Sequence, residues 1–129
     1  MYNLTEGALE KIMQGIRVPN PVLQVLSYKK LSRNANEDGS GTDRFMLLIS
    51  DGQKLHSFTI LNTQLNNLIT ENILNDYAIC KITKYFMISP DISKDIRVML
   101  ILDIEVLVSG DQVGNKIGNP TNIEMKPEL

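Results

Sequence analysis

The chain has no tryptophan, one cysteine and one histidine among its 129 residues. A single thiol, Cys80, excludes an internal disulfide and fits a reducing compartment. One histidine and one cysteine cannot supply a tetrahedral zinc site either. Charge of one sign is also missing, because thirteen basic and fifteen acidic residues leave a formal net charge of -2. Whole-chain electrostatics therefore gives no pull toward nucleic acid or an anionic membrane, and only a local basic patch could do so. The longest apolar runs reach about five residues, far short of a membrane span. The N-terminus lacks the basic-then-apolar pattern of a signal peptide. The expectation is a soluble, intracellular protein without membrane contact, in which Asn3-Leu4-Thr5 matches a glycosylation sequon by chance.

What is present is an ordinary apolar fraction of 43%, enough for one domain with a real core and a short tail. The organising stretch is Arg44 to Ile60, which reads as a β-hairpin. Asp51-Gly52 is a favoured pair for a two-residue type I′ turn, whose central residues both need positive φ. Phe45 to Ile49 is apolar at every position, so neither face of that strand can be left to water. Burial on both sides in a small β domain points to a closed or nearly closed barrel. The returning strand mixes Lys54, His56, Ser57 and Thr59 with Leu55, Phe58 and Ile60, which predicts one polar face on it and places Phe45 and Phe58 in the core.

Ahead of the hairpin, Leu4 to Gln14 reads as a short helix with Thr5 as N-cap and Leu9, Ile12 and Met13 on one face. Gly15 and Pro19-Asn20-Pro21 end it. Val22 to Tyr28 follows as a strand, then a polar loop from Leu31 to Asp43 of about a dozen residues, long for such a connection. Lys29, Lys30 and Arg33 precede that loop's centre and Arg44 closes it. Beyond the hairpin, Asn62 to Asn75 reads as a helix capped by Thr63, with Leu65, Leu68, Ile69 and Ile73 as its buried stripe. Tyr77 to Ile88 is a long strand, Ser89 to Asp95 a turn, and Ile96 to Ser109 the last strand. There Val98, Leu100, Leu102, Ile104, Val106 and Val108 share one parity, whereas the other runs from Met99 and Ile101 to Asp103 and Glu105. One side should fill the barrel, and the other is covered by a helix or floors a groove. The domain is expected over residues 1–109, and 110–129, with glycines, prolines and few large apolar groups, as a linker or disordered tail. Five strands with a helix between the third and fourth is the order of an OB-fold: an all-β five-stranded barrel with short helices.

Catalytic chemistry finds no foothold in this pattern. His56 and Ser57 are adjacent on a strand and point to opposite faces, so they cannot pair as base and nucleophile. Asp103 and Glu105 share a face but read as solvent-exposed acids. Gly39-Ser40-Gly41 leads into a strand and not a helix, so it cradles no phosphate. No enzyme, metal or cofactor is expected. Single-stranded nucleic acid needs a basic groove with aromatic platforms. Only Tyr28, Tyr85 and Phe86 qualify; Tyr85 with Lys84 is the best pair, implying weak, salt-sensitive binding.

Leu4-Thr5-Glu6-Gly7-Ala8, Pro21-Val22-Leu23-Gln24-Val25, Leu47-Leu48-Ile49-Ser50-Asp51-Gly52, Thr63-Gln64-Leu65-Asn66 and Lys116-Ile117-Gly118-Asn119-Pro120 occur in that order. Together they resemble the N-terminal domain of the large subunit of replication protein A, the eukaryotic single-strand DNA-binding complex. The resemblance implies an OB-fold in the nucleus that recruits proteins. A basic groove with an apolar floor would accept acidic amphipathic helices of checkpoint and repair proteins. Other subunits of the complex, and the principal strand-binding domains, would be engaged through the rest of a longer chain.

Matched by position, the resemblance puts Lys29 and Arg44 on the groove walls, Ser57 and Thr63 among its polar positions, and Val98 and Leu100 on its floor. Lys94 and Arg97 fall near further basic positions. Met46 and Ile96 stand where the family has arginines, and Asp91 adds negative charge, which makes this pocket less basic. Alternatives kept beside recruitment are a weak single-strand binder, a telomere-dedicated paralogue of the large subunit, and a structural or dimerising domain.

Overall fold

The hairpin is present as β2 (Arg44–Ser50) and β3 (Lys54–Leu61) in the computed structural model, which describes residues 3–31, 44–91 and 96–123. Its turn is not type I′, because Gly52 has a φ of +92° while Asp51 does not share the left-handed region. The Asp51 carboxylate does the turning instead: its Oδ1 accepts the backbone N–H groups of Gln53 and Lys54, each at 2.8 Å. An aspartate that mimics a backbone turn in this way needs no second positive φ. Its other oxygen accepts the Leu9 N–H at 3.1 Å, so the hairpin tip holds the first turn of α1 (Ala8–Met13).

That helix is shorter than the span from Leu4 to Gln14. Thr5 is not its cap: the hydroxyl accepts the Val22 N–H at 2.8 Å, and the Thr5 N–H donates to the Val22 carbonyl. Thr5 is thereby stitched to the start of β1 (Val22–Leu31). Ala8, Leu9, Ile12 and Met13 form the buried face, as the spacing predicts.

The ring runs β1-β2-β3-β5-β4 and closes on β1, with β4 (Ile79–Asp91) and β5 (Ile96–Val108) as its longest strands. Every neighbouring pair in the ring is antiparallel except β3–β5. This is the expected OB-fold barrel. Leu23, Leu47, Ile49, Leu61, Ile82 and Ile101 fill it and are fully enclosed. Cys80 lies in the same core, where burial pushes its thiol up to about 12.

Between β3 and β4 the helix is also shorter than expected. A 3₁₀ turn over Thr63–Leu65 leads into α2 (Asn66–Thr70). Asn62, not Thr63, caps the turn by accepting the Gln64 N–H. Past Thr70 the left-handed Asn72 and Tyr77 break the periodicity, so Leu74 is buried and Ile73 is exposed.

Bulges change two further expectations. In β5 the inward set is Met99 and Ile101, then Ile104, because the register against β4 shifts between Ile82 and Lys84 and again between Lys84 and Tyr85. The parity that starts at Val98 therefore points outward until Leu102 and inward at Ile104. In β3 a shift between the pairs Leu47↔Thr59 and Ile49↔His56 turns both His56 and Thr59 inward. Ser57 and Phe58 are then both exposed, so Phe58 does not join the core.

Of the tail expected over 110–129, residues 110–123 carry ordered elements, and 124–129 lie outside the described residues. α3 (Gly110–Val113) follows β5 directly, and β6 (Thr121–Asn122) pairs in parallel with Lys54 and Leu55 of β3. The buried Gln24 amide donates to the carbonyls of Tyr77 and Asn115 and accepts the Ile117 N–H, all within 3.1 Å. Gly118 crosses so close to the hairpin tip that a Cβ there would lie 2.8 Å from the Gly52 carbonyl oxygen. Pro120 is buried. Few large apolar side chains are needed when backbone groups are paired by a side chain from the core.

Candidate functional site

The register of the barrel lines up one outward row across its strands. Lys29 of β1 pairs with Met46 of β2, Met46 with Ile60 of β3, Ile60 with Leu100 of β5, and Leu100 with Phe86 of β4. Directly paired residues share a face. Their neighbours Phe45, Leu47, Thr59, Leu61, Met99 and Ile101 are buried, so this row faces away from the core. Met46, Ile60 and Leu100 are half-buried, while Lys29 is exposed and Phe86 is 59% exposed. A second row begins with the pair Ile88↔Val98.

Of the residues singled out in the sequence, Lys29, Arg44, Val98 and Leu100 come together on this outer face. Arg44 lies two residues from Met46 on the same side of β2, and Val98 two residues from Leu100 on β5. Ser57 is exposed in the β3 bulge, beside a cleft of about 200 Å³ formed with Asn122 and Ile123. Thr63 is half-buried just past the opposite end of β3. Lys94 and residues 32–43 lie outside the described residues.

Arg97 does not join that face. It has the inward parity of Met99 and Ile101, and its guanidinium donates to the Met13 carbonyl at the end of α1. A helix C-terminus, with unpaired carbonyls and the negative end of the dipole, is a natural seat for a cation. Tyr85 is displaced from its expected role for the same reason. It pairs with Ile101 on the inward side, and its hydroxyl both accepts the Val18 N–H and donates to the Val18 carbonyl. Such a ring is no open stacking platform. Lys84 is exposed and lies opposite Asp103, and Glu105 is ion-paired with Lys81 at 3.3 Å.

Ile60 and Phe86 are the members of the row that sequence reasoning did not assign to a groove. Their parity was readable, but which strands neighbour each other on the outside was not. His56, on the inward side of β3, has its pKa lowered by burial, with hydrogen bonds to the backbone of Phe58 and Arg97 opposing that shift. Among the described residues no cluster of histidine, cysteine, aspartate and glutamate could hold a metal. Among the described residues the arrangement offers a surface and no reacting constellation.

Fold and surface together define an OB-fold barrel that presents an apolar outer face with cations at its β1–β2 end. Residues 4–109 match the family described as Replication factor-A protein 1, N-terminal domain, and the chain belongs to that family. It is 38% identical over 118 residues to the replication protein A 70 kDa DNA-binding subunit of Danio rerio, covering 92% of this chain and 18% of the relative. The subunit of the same name from Gallus gallus is 38% identical over 91% of this chain and 18% of its own length. Replication factor A protein 1 of Schizosaccharomyces pombe is 34% identical over 82% of this chain and 16% of its own. The chain thus spans less than a fifth of these relatives, which are named as a DNA-binding subunit and a replication factor, not as enzymes.

Proposed function

We propose that this chain is a protein-recruitment domain of a replication protein A large subunit, working in the nucleus within a complex that binds single-stranded DNA. The face formed by Lys29, Arg44, Met46, Ile60, Val98 and Leu100 takes up acidic amphipathic helices of proteins that respond to DNA damage. The single observation that carries this reading is the register row, which sets a cation beside three half-buried apolar side chains. From Lys29 to Leu100 the row crosses three strand spacings, about 14 Å. Roughly ten residues of helix cover that distance. Apolar side chains of the partner rest on Met46, Ile60 and Leu100, and its carboxylates face Lys29 and Arg44. Exposed pairs of this kind contribute about 0–1 kcal/mol each, so they steer and select more than they hold. Recruitment is favoured over strand binding because Tyr85, the best aromatic candidate, is tied down by Val18.

Fluorescence anisotropy with an acidic amphipathic helical peptide at two salt concentrations tests the proposal. Binding weakens with salt and with Lys29→Glu. Met46→Arg, which adds a cation in mid-row, tightens it by up to about fivefold. Salt-independent binding, or full affinity in a Lys29→Glu/Arg44→Glu protein, refutes it.

A further inference from the structure

β4 outruns its neighbour on one side. Against β1 it pairs only from Ile79 to Lys81, whereas its ladder to β5 continues through Ile88. Among the described residues, Lys84 to Ile88 are therefore paired on a single side. The register says which backbone groups face the open side. The Ile101 carbonyl accepts the Asn62 N–H, so Ile101 directs its backbone groups toward β3 and away from β4. Tyr85, its partner, is then in a non-hydrogen-bonded pair, and so is Met87 opposite Met99. The N–H and C=O of Tyr85 and Met87 consequently point to the open edge.

That edge starts at an exposed lysine, Lys84, with bulges on either side of it, but from Tyr85 to Ile88 it is not blunted in the usual ways. Phe86 and Ile88 are exposed large apolar residues, and no proline or inward charge interrupts Lys84 to Ile88. Facing it, residues 15–17 form one wall of a hollow of about 220 Å³ that Ile12, Tyr85, Phe86 and Met87 also line. Ile16 is 50% exposed and Arg17 stands at the rim. The Tyr85 hydroxyl bonds on Val18 hold this wall in place.

We propose that the open edge of β4 takes up an extended segment of a partner protein as an added strand, with one of its apolar side chains in this hollow and a nearby carboxylate on Arg17. Unpaired backbone donors and acceptors call for another backbone, which a helix, having used its own, cannot supply. The hollow, which Phe86 also borders, serves one face of the added strand, and the exposed Ile88 serves the other. Arg17 selects a carboxylate close to the apolar residue. This surface is separate from helix capture on the row through Leu100 and does not depend on it.

Amide exchange in the whole chain, followed by NMR, reads the edge directly. In the free protein Tyr85 and Met87 exchange fast and Phe86 and Ile88 slowly. A synthetic strand of roughly six residues, alternating threonine and valine around one phenylalanine with a glutamate two residues from it on the same face, slows Tyr85 and Met87 about tenfold or more. The same peptide N-methylated on alternate amides does not. Met87→Pro removes one edge donor without touching the β5 ladder and abolishes the effect. Arg17→Glu, which leaves the strand itself intact, weakens it several-fold. Tyr85 and Met87 amides that are already protected in the free protein overturn the proposal. So does protection that grows with protein concentration, which would mean that a second copy occupies the edge, or equal binding of the N-methylated peptide.

Discussion

Replacing Asp51 separates two jobs that one carboxylate does at the hairpin tip. Oδ1 accepts from Gln53 and Lys54, and Oδ2 accepts from Leu9 on α1. Asp51 is fully buried, and its bond to Leu9 is buried while those to Gln53 and Lys54 are part-buried, so water replaces the first least readily. Asp51→Ala abandons all three N–H groups, and at about 1–2 kcal/mol for each the loss is about 3–6 kcal/mol. Asp51→Asn keeps an oxygen for the turn but turns an NH₂ toward the Leu9 N–H. Only the tie to α1 is then broken, for about 1–2 kcal/mol. With a urea slope of about 2 kcal/mol per molar, the midpoints fall by about 2 M and about 0.7 M respectively. Amide exchange at Leu9 accelerates in both variants, but at Gln53 and Lys54 only in the alanine one. An asparagine variant as unstable as the alanine variant, or one with unchanged exchange at Leu9, refutes this division of labour.

Gln24→Leu keeps the volume but strands the carbonyls of Tyr77 and Asn115 and the Ile117 N–H. Stability should drop by about 2–4 kcal/mol, and limited proteolysis should cut within residues 110–123; resistance equal to the parent's would show that another contact holds this segment. His56 is buried with a pKa below its ordinary 6.5, so the unfolded chain binds the proton first as pH falls. Stability is therefore lost as pH drops through 6.5 and levels off below the lowered folded value. Urea midpoints between about pH 7.5 and about pH 5 should fall more steeply in the parent than in His56→Gln, and identical slopes would count against it.

The strand ladder was legible because it depends on alternation and on turn residues close in the chain. Phe45 to Ile49 announces a strand with no wet face, and the order of strands and helix announces the barrel. The motifs that carry the family resemblance are largely one physical object. Thr5 bonds Val22, Asp51 bonds Leu9, Gln24 bonds Ile117, and Gly118 rests on Gly52, so four of those segments brace one end of the barrel. Helix ends are less legible, since periodic leucines and isoleucines continue past Thr70 while the backbone already turns left-handed at Asn72.

By itself, then, the order of residues determined the barrel, its closure and the cations at Lys29 and Arg44. Only the tertiary structure decided which side chains those cations meet. Bulges opposite Ile49 and near Lys84 reverse the facing of whole strand segments, and a one-residue shift leaves composition and hydropathy unchanged. That is why Phe58 is outside, Arg97 and Tyr85 are spent on α1 and the loop after it, and Ile60 and Phe86 line up with Leu100. Residues 110–123 were invisible for a related reason: they are held by hydrogen bonds from a glutamine far away in the chain, and such a bond has no local pattern.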